Sequence, residues 1–378
     1  MKNFQHFDMD KSTWIATIGA GTLLDDVTKR LNNAGGRAIA HGICPQVGAG
    51  GHLTIGGFGP MSRMWGTALD HVVEVQVVLA DSSIVRASAT KNTDVFFAIK
   101  GAAAGFGVVT EFKVRTHPTP GDAVRYSYSF EGGSFQSMTQ TFKDWQSFIS
   151  NPALSRKLYT QVTLFTAGMI ISGTFFGSQE EFDSLNLQGV FPKHQKSKVI
   201  VFKDWLGLVT HWTEDIGLHL VGGVPCAFYS KCLAFKPSDL MPAACIDNLF
   251  NYLDTADKGT LLWFVNFEVQ GGATNDIPTD ATAYAHRDVL FYMETFGIDV
   301  GRVTHTTRNF ITGINEAITS KMPNTTFGSY PGYVDPGLPN GQESYWGPNL
   351  AKLERIKRAI DPKDIFHNPQ SVRPAASS

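Results

Sequence analysis

The stretch His41-Gly42-Ile43-Cys44-Pro45-Gln46-Val47-Gly48-Ala49-Gly50-Gly51-His52-Leu53-Thr54-Ile55-Gly56-Gly57-Phe58-Gly59 sets the terms for the whole chain. It packs seven glycines, one cysteine and two histidines into nineteen residues. At that glycine density neither a helix nor a regular strand is stable. The segment is therefore expected to bend tightly, expose its amides and let another group approach closely, as a cofactor cradle centred on Cys44 would. A glycine-rich loop between core strands satisfies the same pattern.

Composition narrows the choice. With 378 residues, 43% of them apolar, the chain can bury a sizeable core as one large domain or two smaller ones. Its net charge is -2, without a basic stripe or an acidic tail, which argues against nucleic acid and anionic membranes as partners. Apolar runs such as Met169 to Phe176 are too short or too polar to span a bilayer. Four cysteines do not make a disulfide scaffold at this length, although Cys226 and Cys232 could bridge or lie buried as thiols. His41, Cys44 and His52 lack zinc spacing, so no metal is expected. Asn324-Thr325-Thr326 is a glycosylation sequon. Residues 1–8 contain no apolar core of a signal peptide.

Outward from the cradle, Thr13 to Ile18 reads as a β-stretch and Thr22 to Ala34 as a helix. Thr22 and Asp25 form a capping-box-like start, and Gly35-Gly36 the stop. The intervening Gly19-Ala20-Gly21 lacks the third glycine of a dinucleotide fingerprint, since Leu24 stands there. A valine-rich strand from His71 to Ala80 turns at Asp81-Ser82-Ser83 and returns over Ile84 to Ser88. A short helix over Asp94 to Lys100, a second glycine turn over Gly101 to Gly107, and a strand over Val108 to Val114 follow. His117-Pro118-Thr119-Pro120-Gly121 marks the domain boundary. Beyond it, a helix over Ser134 to Ile149, strands over Leu158 to Phe165, Met169 to Phe176 and Leu261 to Val269, and a helix from Ser178 to Leu187 suggest an antiparallel sheet backed by helices. A last helix runs from Asn349 to Ile360.

The segment Cys44-Pro45-x-Val47-Gly48-x-Gly50-Gly51-His52, followed by Gly56-Gly57-x-Gly59, resembles the cysteine-attachment segment of the berberine-bridge-enzyme-like FAD-linked oxidases. Within that family it is most similar to the fungal oligosaccharide oxidases. The resemblance continues through Gly101 to Thr110 and returns in Asp361-Pro362-Lys363-Asp364-Ile365-Phe366-His367-Asn368-Pro369-Gln370-Ser371. It implies an α+β protein: a discontinuous PCMH-type FAD-binding domain over 1–120 and 345–378, and an α+β substrate domain over 121–344. It also implies FAD held covalently through Cys44, with Val47, Gly48, Gly50, Gly51, His52, Gly56, Gly57, Gly107, Val108, Val109, Asn368 and Gln370 around it. The family's preceding Arg-Ser-Gly-Gly-His segment, source of a second, histidine linkage, does not occur before Cys44. The FAD domain is therefore expected to be truncated, and the family's extracellular location stands against the lack of a signal peptide.

Oxidising an alcohol needs a base for the hydroxyl proton as well as a hydride acceptor. Tyr330-Pro331-Gly332-Tyr333-Val334-Asp335 resembles the family's Tyr-x-Asn-Tyr-x-Asp segment, which implies Tyr333 as that base, with Gly332 in place of the asparagine. On a strand Phe264, Asn266 and Glu268 share a face. The resemblance implies Glu268, an aspartate in the oligosaccharide oxidases, as proton acceptor for Tyr333, and Asn266 as a hydrogen bonder to substrate. Valine at position 47 goes, in the family, with oxygen access to the flavin. Trp205, Trp212 and Trp263 could stack on sugar faces, with core packing the default for each. The expected activity is oxidation of the anomeric hydroxyl of a mono- or oligosaccharide to a lactone, with O2 reduced to H2O2. A small alcohol or amine of secondary metabolism is the rival substrate, and a non-catalytic remnant the rival role.

Overall fold

Two antiparallel sheets, of five and seven strands, organise the computed structural model, which describes residues 1–215 and 226–376. They belong to two units of chain. The first gathers Met1–Thr119, Gly272–Arg287 and Tyr330–Ser378, and the second Pro120–Gly271 and Asp288–Ser329. The first crossing falls inside the proline-rich boundary read from the sequence. The return comes at Tyr330, where the sequence pattern suggests 345, and Gly272–Arg287 is an excursion that no pattern marks.

The first unit's sheet contains β1 (Phe7–Asp10), β2 (Ile15–Gly19), β3 (Val72–Val78), β4 (Ile84–Ser88) and β5 (Val108–Arg115), in the order β1-β2-β5-β3-β4. Every pairing is antiparallel, which separates it from the parallel dinucleotide fold. Its Gly19-Ala20-Gly21 serves close packing instead. A Cβ on Gly19 would lie 2.4 Å from the Phe4 carbonyl oxygen. Helix α1 (Leu24–Asn33) buries Leu24, Val27 and Leu31. Its expected cap is not made: the Thr22 hydroxyl donates to the Gly19 carbonyl at 2.8 Å. The helix stops as expected, with the amides of Gly35 and Gly36 both bonded to the Asn32 carbonyl. Helix α2 (Thr93–Ala102) loses helical geometry at Lys100 and Gly101.

Two buried cations fasten the distant segments of this unit. Arg287 donates to both carboxylate oxygens of Asp70, at 2.8 and 2.9 Å, with both side chains almost fully buried. At the other end of the chain the helix Leu350–Ile360 buries Leu353, Ile356 and also Lys357. The Lys357 ammonium donates to the Gly105 carbonyl (2.6 Å), the Phe366 carbonyl (2.7 Å) and the Asp361 carboxylate (2.6 Å).

In the second unit the strands are β6 (Ala123–Glu131), β7 (Leu158–Phe165), β8 (Gly168–Phe175), β9 (Lys196–Phe202), β10 (Ala227–Phe235), β11 (Leu262–Val269) and β12 (Phe291–Asp299), ordered β9-β6-β8-β7-β11-β12-β10. Strand alternation sorts the two faces. Val124, Tyr126, Val162, Leu164, Val265, Phe267 and Met293 join the core with residues of helices α3 (Thr139–Ile149), α4 (Ala243–Thr255) and α5 (His305–Thr319). Phe142 of α3 meets Phe267 edge-to-face at 4.7 Å. The opposite face is polar and holds the residues of interest. The helix expected from Ser134 is split, a 3-10 turn over Phe135–Met138 preceding α3. That expected from Ser178 is two short pieces, Gln179–Asp183 and Leu187–Val190.

The Lys357 contacts generate a prediction. Lys357→Met keeps the apolar stem and removes the charge, leaving Asp361 buried without its ammonium. Breaking one side of a buried pair costs about 3–5 kcal/mol. Urea unfolding should show a loss of that order; a change below about 1 kcal/mol would mean that the ammonium does not hold the C-terminal segment.

Candidate functional site

The cradle begins with a turn laid against the start of α1. The α1 amides of Leu24 and Asp25 donate to the carbonyls of Val47 and Pro45, at 2.9 and 3.1 Å. This explains the missing Thr22 cap: the Cys44–Val47 turn supplies carbonyl partners near the helix start. A single helical turn, Ala49–His52, follows. Gly50 is packed there, because a Cβ would lie 2.7 Å from the Ala20 carbonyl oxygen. At Gly48 and Gly51 a Cβ would meet nothing within 4 Å. These two glycines therefore leave open ground on the turn that carries Cys44, which is partly exposed and in no disulfide. Cys226 and Cys232 are not joined in a disulfide either. A planar cofactor attached at Cys44 fits this surface.

The next glycines are strained as well as crowded. Gly56 and Gly57 have φ of 119° and 74°, a region that favours glycine. The Gly57 amide donates to the Tyr330 hydroxyl at 2.8 Å. Tyr330 in turn packs edge-on to Phe58 at 4.7 Å and lies 5.1 Å from the Tyr333 ring. Tyr333 is partly exposed and reaches Phe58 at 6.3 Å. Cradle and tyrosine loop are thus one assembly, although 273 residues separate Gly57 from Tyr330. Gly332 has a steric reason: its Cβ would lie 2.3 Å from the Tyr330 ring and 2.9 Å from Ile55.

The closing motif joins the same assembly. Gln370 donates from its side chain to the Asp335 carbonyl at 2.7 Å, and the Asn368 side-chain oxygen accepts from the Gln370 amide at 3.0 Å. Asn368 and Gln370 line a cavity of about 60 Å³ with Gly101, Gly105, Pro331 and Val334. The second glycine turn, the tyrosine loop and the C-terminal motif therefore meet around one space. Of the neighbouring candidates, Val108 is 42% exposed whereas Val109 lies in the core, and Gly107 is pressed against Val77.

Three histidines, His41 and His71 buried and His52 partly so, shape the cradle from within. The Gly42 amide donates to His52 Nε2 at 2.9 Å, and the Ala40 amide to His71 Nε2 at 3.1 Å. Accepting there requires neutral rings. Burial holds the His52 imidazole down to about 3, with His41 adding to the effect. Burial and then His117 do the same to His71, also about 3. His41 is lowered by burial, and its Nε2 lies 2.9 Å from the Thr28 hydroxyl. The His52 side chain is thus engaged with the cradle's own backbone.

Asn266 and Glu268 lie in the second unit. Both sit on the polar face of β11, as strand alternation requires, and Glu268 is only 9% exposed. Its Oε1 accepts from the Tyr159 hydroxyl at 2.7 Å. Burial, above all, raises the Glu268 carboxyl from its ordinary range, and its hydrogen bonds to Tyr159 and Glu294 only partly offset this. The Thr163 hydroxyl donates to Asn266 Oδ1 at 2.8 Å. Sequence reasoning missed Tyr159 and Glu294. The period-two run Tyr159, Gln161, Thr163 carried a signal for the first, and a lone charge inside Phe291-Tyr292-Met293-Glu294-Thr295-Phe296 for the second. The three tryptophans follow the default of core packing and do not offer their rings to a sugar. Trp205, Trp212 and Trp263 are at most 5% exposed; Trp205 and Trp212 pack edge-on at 5.5 Å, and Trp263 packs against Phe310. Their rings offer more contact area to the core than any exposed site would give them.

The chain is similar to known proteins in sequence and in fold. Residues 1–88 match the FAD binding domain family, and residues 329–373 the berberine and berberine-like family. The chain is 41% identical to the FAD-linked oxidoreductase sorD of Penicillium rubens over 99% of its own length and 80% of that protein. A solved chitooligosaccharide oxidase is similar at a TM-score of 0.89 and 30% identity, over 100% of this chain and 81% of that one. The glucooligosaccharide oxidase of Acremonium strictum, which carries a 6-S-cysteinyl, 8α-N1-histidyl FAD, gives a TM-score of 0.88 at 28% identity over 100% and 82%.

The histidines predict acid lability of the cradle. In the unfolded chain each takes up a proton below pH about 6.5, while in the folded chain His52 and His71 resist until about pH 3. Stability is therefore fully present above pH about 6.5 and is lost as pH falls towards about 3, by about 1.4 kcal/mol per unit for each such histidine. Urea titrations at pH 7.5 and 5.5 should differ accordingly, and His52→Gln should flatten the difference. Equal stability at both pH values would show that the rings titrate freely.

Proposed function

We infer the function of this chain from the family it belongs to, the berberine-like FAD-linked oxidoreductases, whose PCMH-type fold it shares. It is an FAD-dependent oxidoreductase. The substrate we propose is a mono- or oligosaccharide, oxidised at its anomeric hydroxyl. Bound FAD supplies the hydride acceptor, with a lactone and H2O2 as the products once O2 serves as final oxidant. Cys44 is proposed to anchor the cofactor through sulfur. Gly48 and Gly51 leave room for it, and Asn368 and Gln370 border its place beside Gly101 and Gly105. Val47, 38% exposed on the same turn, is proposed to border a path for oxygen. An extracellular location is proposed from the family; no described helix is long and apolar enough to cross a membrane.

Tyr333 takes the substrate's hydroxyl proton in this reading. The observation that carries it is the placement of that ring: partly exposed, and fixed through Tyr330 and Phe58 to the glycine arm that leads from Cys44. A phenol, with an ordinary pKa of about 10, needs somewhere for its own proton to go. Glu268 is assigned that part on the family pattern, and Asn266 the hydrogen bond to substrate. A second reading is favoured by one feature. Phe264 and Phe296 stack at 4.7 Å on the face that carries Asn266, and Phe228 beside them is 61% exposed. Such an apolar ledge suits the body of a small non-sugar alcohol or amine better than a sugar rim.

Two substitutions test the assignments. Tyr333→Phe in FAD-loaded protein should slow flavin reduction by about 10²–10⁴ while leaving the fold intact, and an unchanged rate would remove Tyr333 from the chemistry. Cys44→Ala should leave only flavin that dissociates on denaturation; flavin still covalently attached would place the bond elsewhere. Running the wild type against a panel of sugars and apolar alcohols separates the two substrate classes.

A further inference from the structure

The polar face of the second unit's sheet holds a pair of carboxyl groups. Strands β11 and β12 run antiparallel, with Glu294 directly opposite Asn266 and Tyr292 opposite Glu268. Strand alternation puts Glu268 and Glu294 on the same face as diagonal neighbours, within reach of each other's side chains. Both are buried, at 9% and 3% exposure. They are hydrogen-bonded to each other. An ionised carboxylate only accepts, so two of them cannot form that bond unless one carries a proton. A doubly charged pair in a buried site would also be strongly disfavoured.

We propose that Glu268 and Glu294 form one acid–base unit that holds a single shared proton, with Glu294 as the positioning residue for Glu268. The proposal rests on the role given to Glu268 above and deepens it. The groups around the pair agree. From β7, Tyr159 donates its hydroxyl proton to Glu268. From β10, Cys232 stands opposite Glu294, and Tyr292 flanks the pair on β12. Arg125 of β6 is the nearby cation, and it acts electrostatically on Tyr159 as both carboxyls do. One negative charge thus faces the Tyr159 hydroxyl, which is itself influenced by the Arg125 guanidinium. Such a pair can take up one further proton, passing from a net charge of -1 to 0, or give it back, without two negative charges being buried together. Alcohol oxidation releases one proton per turnover, and the pair has capacity for one. It also resolves a tension in Glu268: burial favours its protonated form, whereas its role is to accept.

The test needs neither flavin nor turnover. Carboxyl infrared difference spectra of the full chain at pH 7 should show a protonated carboxyl in the wild type. That band should be lost in Glu294→Gln and equally in Glu268→Gln, because each amide can donate the hydrogen bond the proton supplied. A band that survives in either variant assigns the proton to the other residue alone and overturns the proposal, as does a wild type without the band. The unsubstituted protein provides a second measurement that no folding defect can affect. With 13C-labelled glutamate, the two carboxyl resonances should titrate together in two separated steps; independent single steps overturn it. Loss of the band in both variants combined with a Tyr333→Phe protein of normal rate would keep the pair and discard the Tyr333 assignment.

Discussion

A buried ammonium sets the shape of the first unit. Lys357 sits on the last helix with no exposure to solvent and is satisfied by the carboxylates of Asp361 and Asp364 and by two backbone carbonyls. An unpaired ammonium in that position would be untenable, so the Asp361–Phe366 turn and the Gly101–Gly105 turn have to come to it. The Gly101–Gly105 turn also borders the cavity lined by Asn368 and Gln370. The Arg287–Asp70 pair works in parallel, since its bidentate geometry fixes the Gly272–Arg287 excursion against the segment that starts β3. Charge satisfaction, more than apolar burial, determines where these separated pieces lie.

The sequence was most readable where one residue type dominates a local requirement. Glycine density at 41–59 marked the cradle because close contacts at Gly50, Gly57 and Gly59 demand it, while Gly48 and Gly51 leave open ground. Alternation on β11 correctly put Asn266 and Glu268 on the polar face, since a strand's period is fixed by its backbone. The hairpin over Asp81–Ser83 and the breakers at 117–121 were legible for the same local reasons. The family's FAD chemistry was legible through motif spacing, which the matches to known oxidoreductases then support.

What stayed hidden depends on partners far along the chain. Thr22 has the right chemistry to cap α1, yet carbonyls from the Cys44–Val47 turn meet the Leu24 and Asp25 amides, and no local rule foresees that. Nothing near Gly272 announces that Arg287 will reach Asp70 across 217 residues. Glu294 looks like an accident in an apolar run until β11 and β12 are set in register. For the tryptophans core packing was the default and it held, since an ability to stack on sugars is general and only the surroundings decide whether a ring reaches the surface.

The discontinuous first unit also imposes an order on synthesis. A ribosome delivers every segment of the second unit by Ser329, whereas the first unit still lacks Tyr330 and the whole of its last helix. Its glycine turns therefore emerge early and wait for their closing contacts until the final fifty or so residues arrive. Domains that complete early fold early, so a transcript cut short after 329 would yield a finished sheet domain attached to an open cradle. Loss of the segment after Ser329 is consequently more damaging than its length suggests, because it carries the contacts that close the glycine turns.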